Sequence, residues 1–388
     1  MRTLRGRLKS EDGVVLAISL LILTLLVAGG MGAIFSTQME LNSSGNLRKE
    51  KNAFYLAEAG LHQAWQSLDH IGGRNNFEEI FSGSGVTDIL SNVTFGDGSY
   101  TVTAEGIPAS TPKRLKVTSN SCFPAGEPCP SGHSKAVIEA QYAREPLFPC
   151  VLCGKEGISL SLGTRTDSYD SREGPYNVST AGSHGHIQSN GDIALSGATT
   201  LVKGDAKTVG AVLTSDGAAV TGTSTGGAAP FGFPRVIPCG PPFSSGAGIV
   251  GGSYDPSTGQ LRGAGTDAII IGAGTYCLST VELSDNSTLT VAGPVTLNLT
   301  AHSSFTGGGI LNPTANAESL RVVSSLSSSS LGITVLSGSQ VYGTIYAPDA
   351  RVEVRGGGDF YGAVAGRTVL STGGAKFHYD KKLKESEN

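Results

Sequence analysis

An uninterrupted apolar run near the amino terminus constrains this chain more than any other feature. Residues 14–35 contain no charged side chain, and a helix of that length spans the hydrocarbon core of a bilayer at 1.5 Å per residue. The preceding leader, residues 1–13, carries four basic and two acidic residues: Arg2, Arg5, Arg7, Lys9, Glu11 and Asp12. The positive-inside rule therefore predicts a cytoplasmic leader and an external remainder of the chain.

A cleaved secretory signal is the alternative interpretation of this run. Such a signal has an apolar region of about 7 to 15 residues, with small residues at the cleavage site just after it. Here the small residues Ala28, Gly29 and Gly30 lie inside the run, and a helical pattern continues beyond it. Length therefore favours a membrane-spanning helix.

The residues after the run predict that the helix continues. No proline occurs between residues 36 and 70, and four apolar side chains recur at spacings of seven, four and three: Phe54, Leu61, Trp65 and Leu68. This spacing places them on one helix face, which we expect to pack on a soluble head. Gly72 and Gly73 are the expected end of a helix over residues 14–70.

Two segments on this helix carry a resemblance to a known family. Residues 11–17 (EDGVVLA) and 53–61 (AFYLAEAGL), together with the apolar run, resemble the amino-terminal module of PilX-type minor pilins. The resemblance implies that prepilin peptidase cuts the leader after Gly13 and that Val14, the first mature residue, is methylated. It also implies a fibre or membrane helix that includes Ile18, Leu21, Leu25 and Phe35.

One position departs from the family's usual pattern. Major pilins of this class carry a glutamate at the fifth mature position, which neutralises the amino terminus of a neighbouring subunit, whereas that position here is Ile18. An unpaired charge in an apolar interior is costly, so such a subunit should dock poorly onto a protomer already in place. We therefore expect a tip or initiating position, as in the K-type minor pseudopilins of secretion systems.

The composition favours a β-rich extracellular protein. The 388 residues suggest two to three domains; glycine is abundant at 55 residues, while aromatic residues make up 6% and charged residues 15%. Without residues 1–13 the chain has 24 basic and 30 acidic residues, a net charge of −6. No basic patch is evident, and we expect no nucleic-acid partner.

Six cysteines follow the proposed membrane helix, where disulfides are expected. They are Cys122, Cys129, Cys150, Cys153, Cys239 and Cys277. Six cysteines allow 15 connectivities, of which the sequence favours only a local pair between Cys122 and Cys129. The C-x-x-C spacing of Cys150 and Cys153 also permits a redox or metal site, but nothing completes a zinc site at familiar spacing, and structural bonding is favoured.

Residues 71–147 are expected to form a small antiparallel sheet, the pilin head. Alternating apolar residues flank Gly96-Asp97-Gly98, which is typical of two strands joined by a tight turn. Two further strands are predicted near residues 114–118 and 136–142.

Residues 148–378 follow a different pattern, with short β-runs separated by Gly, Ser, Asn and Asp. The segment 341–347 (VYGTIYA) recurs as 360–366 (FYGAVAG) at an offset of 19, which favours a right-handed β-solenoid whose turns have about that length. A meandering sandwich with a repeated hairpin is the alternative. Residues 379–388 are interpreted as a charged tail.

The carboxy-terminal region also resembles a known module. Residues 166–171 (TDSYDS), 360–364 (FYGAV) and 373–380 (GGAKFHYD) look like an uncharacterised β-helical module that is often joined to PilX-type amino termini. The resemblance implies a fold and leaves the activity open.

The sequence offers no convincing catalytic or metal site. His184, His186, Asp192 and His378 lack a third ligand at a diagnostic interval. Four aspartates could be imagined as acid and base pairs of a glycan-active enzyme, but we expect them to be solvated or turn-forming residues: Asp167, Asp170, Asp192 and Asp205. We therefore predict no catalytic residue, metal or cofactor.

The sequence predicts an α+β protein, with a long transmembrane pilin helix and small antiparallel sheet followed by a mainly-β right-handed solenoid. The expected function is that of a tip-located minor pilin that primes assembly and adheres through its solenoid. Expected partners are other pilins and minor pilins, prepilin peptidase, the inner-membrane assembly machinery and a glycan or surface ligand. A K-like secretion pseudopilin and a membrane-anchored carbohydrate-active enzyme are the alternatives.

Overall fold

A computed structural model describes residues 11–71, 76–83, 85–108, 110, 113–143, 146–336 and 340–386, with side chains between Ile18 and Lys384. Most of the leader, residues 1–10, and the predicted helix stop at Gly72 and Gly73 lie outside the described residues. The described chain forms two compact units. One contains most of the first helix and the centres of four strands, and the other contains a much larger sheet.

The first helix, α1 (Glu11–Leu68), is continuous over 58 residues. It would be roughly 87 Å long at the ordinary rise of an α-helix. With the sheets described below, it confirms the predicted order of a long apolar helix followed by a mostly-β region.

The second half of α1 buries a different face from the predicted one. Phe54 is 50% exposed and Trp65 46%, and Leu61 is half-buried, so of the four predicted packing residues only Leu68 is fully buried. The buried face consists of smaller residues at helical spacing: Ala53, Leu56, Ala57, Gly60, Ala64 and Leu68. The prediction was wrong because it ranked side chains by apolarity, whereas the close approach of the sheet selects them by size.

A short strand and helix follow α1, and then a four-stranded sheet. They are β1 (His70–Ile71), α2 (Phe77–Ser82), β2 (Thr87–Phe95), β3 (Gly98–Gly106), β4 (Leu115–Phe123) and β5 (Ser134–Tyr142). The sheet order β2-β3-β4-β5 is that of a meander, and such short connections require successive strands to be antiparallel. Gly96 has φ 59°, which allows the tight turn between β2 and β3.

The larger sheet contains 22 strands of the described chain. Its first half comprises β6 (Leu152–Leu160), β7 (Arg165–Tyr169), β8 (Ile187–Ser189), β9 (Asp192–Ser196), β10 (Leu201–Val202), β11 (Ala206–Thr208), β12 (Val212–Ser215), β13 (Ala219–Val220) and β14 (Ser224–Thr225). A two-stranded sheet pairs β1 with β15 (Arg235–Val236).

The second half of the larger sheet follows β15. It comprises β16 (Ile249–Val250), β17 (Ser253–Asp255), β18 (Gln260–Gly263), β19 (Ala268–Leu278), β20 (Thr280–Leu283), β21 (Thr288–Leu299), β22 (Ser303–Phe305), β23 (Gly309–Leu311), β24 (Leu320–Ser324), β25 (Ser328–Leu336), β26 (Val341–Arg355), β27 (Asp359–Thr372) and β28 (Lys376–Asp380). A 3-10 helix, η1 (Ala317–Ser319), precedes β24, and α3 (Lys382–Ser386) ends the described chain.

Most strands of this sheet are stacked as parallel rungs. Ile193 pairs with Val212 and Leu261 with Val281, 19 and 20 residues apart. The repeated segments pair in the same way, since Val341 aligns with Phe360. Parallel pairing is incompatible with a repeated hairpin, so the alternative of a meandering sandwich is excluded here. Inward apolar residues from successive rungs form one buried core.

Two details differ from the sequence-based interpretation. Several predicted short runs are parts of longer strands: β26 and β27 have 15 and 14 residues, with register shifts near Ala347 and Gly366. The expected boundary at residue 379 falls inside β28, and Leu383 of α3 is buried. The charged end is therefore partly ordered structure rather than a separate tail.

The order of the rungs in the stack differs from their order along the chain. Rungs β6 to β14 extend in one direction from β6 and β7, while the last strands, β27 and β28, pair with β6 and β7 on the opposite edge. The ends of this domain are therefore neighbours within the stack.

Candidate functional site

The first half of α1 is an apolar surface with no partner in the described chain. Ile18, Leu21, Leu25 and Phe35 are 54%, 59%, 63% and 65% exposed. The helix is long and apolar enough to cross a membrane, with a mean hydropathy of 2.3 in its most apolar window and none of that window buried. A patch of this size requires lipid or other protein around it.

The polar groups within this half are satisfied by the helix itself. Thr24 donates its hydroxyl to the carbonyl of Leu21 at 2.8 Å, and Thr37 donates to Ala33 at 2.9 Å. No charged residue occurs between Val14 and Met39, so Ile18 has no carboxylate near it in sequence. Such a segment suits an environment that offers no hydrogen bonds. Gly13 and Val14 lie in the first turn of α1, where side chains are not described, and cleavage between them stays a prediction.

The second half of α1 fits closely onto β3 and β4. The Ser121 hydroxyl donates to the carbonyl of Ala53 at 2.6 Å, and Leu56 lies over Gly98. A Cβ atom at Gly60 would lie 2.5 Å from Ser119 Oγ and 2.9 Å from Tyr100 Cδ2. Small residues therefore set the distance between helix and sheet. Phe54 and Tyr55 remain exposed on another face of the helix.

The cysteines form three disulfides, which join Cys122 to Cys129, Cys150 to Cys153, and Cys239 to Cys277. Cys150 and Cys153 are buried in the core of the larger sheet. A buried cystine is poorly accessible to a redox partner, so its surroundings fit a structural role. Among the described residues, no group of three or more potential ligands could hold a metal ion.

The two carboxy-terminal motifs meet in the larger sheet. Strands β7 and β28 are parallel neighbours, with Arg165 beside Lys376 and Tyr169 beside Asp380. This pairing joins residues 166–171 to residues 373–380 across some 210 positions of sequence. Sequence reasoning identified both motifs, but their spacing gave no sign that they are adjacent.

His378 is a buried link in this seam. Its Nδ1 lies 2.6 Å from Asp167 Oδ1 and its Nε2 lies 3.2 Å from Asp359 Oδ1, while Tyr176 donates to Asp167 Oδ2 at 2.8 Å. Ionised carboxylates only accept hydrogen bonds, so this geometry suits a ring that donates from both nitrogens. The seam therefore joins three separate stretches of the chain by charged hydrogen bonds. Asp359 and Tyr176 were not singled out from the sequence.

Aromatic rings cover His378 on both sides. Tyr176 and Tyr361 lie 3.9 Å and 4.7 Å from the His378 ring, and Tyr342 stacks on Tyr361 at 4.3 Å between centroids. Burial raises the pKa of Tyr361 and of Tyr176 well above the ordinary tyrosine value. The phenols thus stay protonated and act as packing groups and hydrogen-bond donors.

A polar cleft of about 440 Å³ lies beside the seam, under the loop that connects β7 to β8. Arg172 hydrogen-bonds to Asp170 and holds the pKa of that carboxyl at about 2. Lys381, 3.7 Å from the same carboxylate, also lines the cleft. An ionised, ion-paired carboxylate cannot serve as a general acid near neutral pH. The cleft can bind a polar group, but Asp170 is not poised for catalysis.

The remaining predicted polar residues support the stack. Asp192 accepts from the backbone N–H of Ala211 at 2.8 Å, and Asp205 accepts from that of Thr223 at 2.9 Å. Each carboxylate therefore bonds to the next rung. His184 and His186 contact one another edge to face, and desolvation lowers the pKa of His186. These residues do not converge on one catalytic centre with Asp167 and Asp170.

Two family matches agree with these two parts of the chain. Residues 12–62 match the PilX N-terminal family. Residues 279–386 match DUF7305, a domain family of unknown function. The second match begins at the end of β19 and includes the closing strands β27 and β28, whereas the motif at residues 166–171 lies outside it.

Solved structures give weaker similarities. The competence-associated pilin ComZ from Thermus thermophilus is 13% identical, with 87% of this chain and 92% of that chain covered and a TM-score of 0.27. Two ice-binding proteins cover 61% of this chain: one from the Antarctic ascomycete Antarctomyces psychrotrophicus (15% identity, 96% of that chain, TM-score 0.26) and LeIBP from an Arctic yeast (14%, 94%, 0.30). Scores this low carry no argument about fold or function.

No curated protein matches the sequence. The two family matches together account for less than half of the chain and correspond to separate parts of it. The chain therefore joins a PilX N-terminal module, residues 12–62, to a carboxy-terminal DUF7305 domain, residues 279–386.

Proposed function

We propose that this chain is a minor pilin of a type IV pilus and that it acts by assembly rather than catalysis. The observation that carries the proposal is the exposed apolar half of α1 within a PilX N-terminal module. In this proposal prepilin peptidase cuts after Gly13, and the mature helix passes from the inner membrane into a bundle of other pilin helices. Both environments bury apolar side chains and leave the backbone to satisfy itself.

A position at the fibre tip follows from Ile18. A neighbouring subunit's charged amino terminus would find no carboxylate at this position, and leaving that charge unpaired in an apolar interior is expensive. The chain is therefore suited to begin a fibre rather than to extend one. The exposed Phe54 and Tyr55 are available to contact the next pilin or the assembly machinery.

The domain that begins at β6 is proposed to be a right-handed β-solenoid. Its parallel rungs, spaced by about 19 residues along much of the chain, support this assignment. A domain of more than 200 residues would crowd a repeating shaft, which also favours the tip. There it would bind a glycan or another surface, with the polar cleft beside the seam as the first region to test.

The same features would suit a K-like minor pseudopilin of a secretion system, because Ile18 also fits an initiating subunit there. We favour a pilus because the matched module is of the PilX type. Recovery of the chain only with secretion-system pseudopilins, and never with sheared pili, would reverse that preference.

Mass spectrometry of sheared fibres tests the proposal directly. We expect a methylated Val14 as the amino terminus of the fibre-borne chain, with antibody label confined to fibre ends. An intact leader on all copies, retained in the inner membrane and absent from fibres, would overturn the assignment.

A substitution at residue 18 tests the tip position. Ile18→Glu restores a carboxylate at the fifth mature position, so label should spread from fibre ends into the shaft, whereas the matched control Ile18→Leu should leave it at the ends. Label along the shaft in the unmodified protein would contradict the role given to Ile18.

A further inference from the structure

The two ends of the rung stack are finished differently. At one end, β17 pairs antiparallel with β18, and β16 pairs antiparallel with the first part of β19. The rest of β19 is covered by the preceding segment, since Ser244 donates its N–H to the carbonyl of Cys277 and Cys239 is disulfide-bonded to Cys277. This end offers little free strand edge.

The opposite end is an open edge. Strands β12, β13 and β14 each pair with a strand on one side only: β9, β10 and β11. Within the described chain no strand pairs with their other side. Residues 213–217 are all exposed, including Leu213 at 54%.

The backbone register shows which groups this edge offers. Ile193 aligns with Val212 and donates its N–H to the carbonyl of Ala211. In a parallel ladder, alternate residues of a strand bond to opposite sides, so the N–H and C=O of Val212 and Thr214 point away from β9. These groups can pair with a further strand at no cost to the existing ladder.

The edge also lacks the usual protection against pairing. Edge strands are normally blunted by lysine, proline or inward charges. Between residues 208 and 234 the only charged side chain is Asp216, and β12, β13 and β14 contain no proline. A strand edge of this kind is a template for another strand.

We propose that this open edge binds the same edge of a second copy of the chain, with β12 of each copy antiparallel to the other. Two identical edges are complementary in their backbone groups when a two-fold axis relates them. Because the other end of the stack is covered, head-to-tail growth has no second edge to use, and the product is a closed pair rather than a filament. This proposal does not depend on the pilus assignment.

Cysteine cross-linking of the full-length protein in detergent micelles tests the pair. Thr214→Cys should give a disulfide-linked dimer on oxidation, while Thr266→Cys, in the exposed turn between β18 and β19, should remain monomeric. Equal cross-linking of both variants, or none at Thr214→Cys in a protein that light scattering finds monomeric at micromolar concentration, would overturn the proposal.

A charge variant separates edge pairing from association through α1. Thr214→Lys should weaken dimerisation by roughly tenfold or more, because the two-fold axis brings like charges together; Thr266→Lys should leave it unchanged. A dimer that survives Thr214→Lys would place the contact elsewhere, on the helix for example. Hydrogen exchange adds a reading on the native chain: the amides of Val212 and Thr214 should become protected as protein concentration rises, and concentration-independent exchange would count against the pair.

Discussion

The two halves of α1 use the same secondary structure for opposite purposes. In the first half, large apolar side chains are exposed, and a Cβ atom added at Gly29, Gly30 or Gly32 would meet nothing within 4 Å. In the second half, the buried face is mostly alanine and glycine, and a Cβ atom at Gly60 would collide with the sheet. One half fits an environment outside the chain, and the other fits the chain itself.

This difference shows that apolarity and burial are separate properties along one helix. The most apolar residues are the least buried, because their partners are lipid or other subunits. The buried residues are small, because a sheet that lies close to the helix leaves no room for larger ones. Substitutions in the two halves should therefore affect different measurements.

The largest effect is expected at Leu56, which is 7% exposed and packs over Gly98. Leu56→Ala should lower the free energy of unfolding by about 2 to 5 kcal/mol, since it removes buried methyl groups and leaves a cavity. Denaturation of the full chain in detergent, followed by the fluorescence of its single tryptophan, Trp65, measures this. The control Leu25→Ala removes a similar side chain from the exposed half and should leave that free energy unchanged; an equal loss in both would remove the distinction between the halves.

A smaller loss is expected at Gly60. Gly60→Ala gains about 1 kcal/mol of helix propensity, but the added methyl group must displace Ser119 and Tyr100 from their present positions. Overpacking of this kind costs about 1 to 3 kcal/mol, so the variant should be less stable than the parent. The matched change Gly30→Ala adds a methyl group in open space and should cause no loss in the same denaturation experiment. A stabilised Gly60→Ala protein would show that the helix and sheet are not in close contact.

Phe54 separates folding from assembly within the second half. Because half of its surface is exposed, Phe54→Ala should change the free energy of unfolding by less than about 1 kcal/mol, well below the expectation for Leu56→Ala. Its incorporation into sheared fibres should fall if this ring contacts another pilin. Loss of stability as large as that of Leu56→Ala would restore the helix face predicted from the sequence.

The smallest effect is expected at Thr24. Its hydroxyl is already bonded to the carbonyl of Leu21, so Thr24→Val removes a group that lipid never had to solvate. Membrane insertion, read as the fraction of chain that resists alkaline extraction, should be unchanged. Thr24→Asp should reduce it sharply, because the new charge has no partner in the described part of the helix.

Local patterns in the sequence predicted much of the fold. The apolar run gave the exposed half of α1, alternation around Gly96-Asp97 gave the β2–β3 turn, and the repeat at an offset of 19 gave the pairing of Val341 with Phe360. Each of these signals lies within a few residues or within one repeat.

The features that escaped prediction depend on distant parts of the chain. The buried face of α1 is selected by the closeness of β3 and β4, which hydrophobic spacing does not report. His378 is held by Asp167 and Asp359, and Asp167 lies 211 positions away. No periodicity connects such residues, so the seam became visible only when the strands were placed together.

The adjacency of β27 to β6 also constrains when this domain can become complete. During synthesis and export, β6 emerges about 210 residues before the strand that will cover its edge. At ordinary elongation rates of about 5 to 20 residues per second, that edge waits roughly 10 to 40 seconds. A truncated or stalled chain would thus leave an adhesive strand exposed outside the membrane, where periplasmic chaperones and proteases are the remaining safeguard.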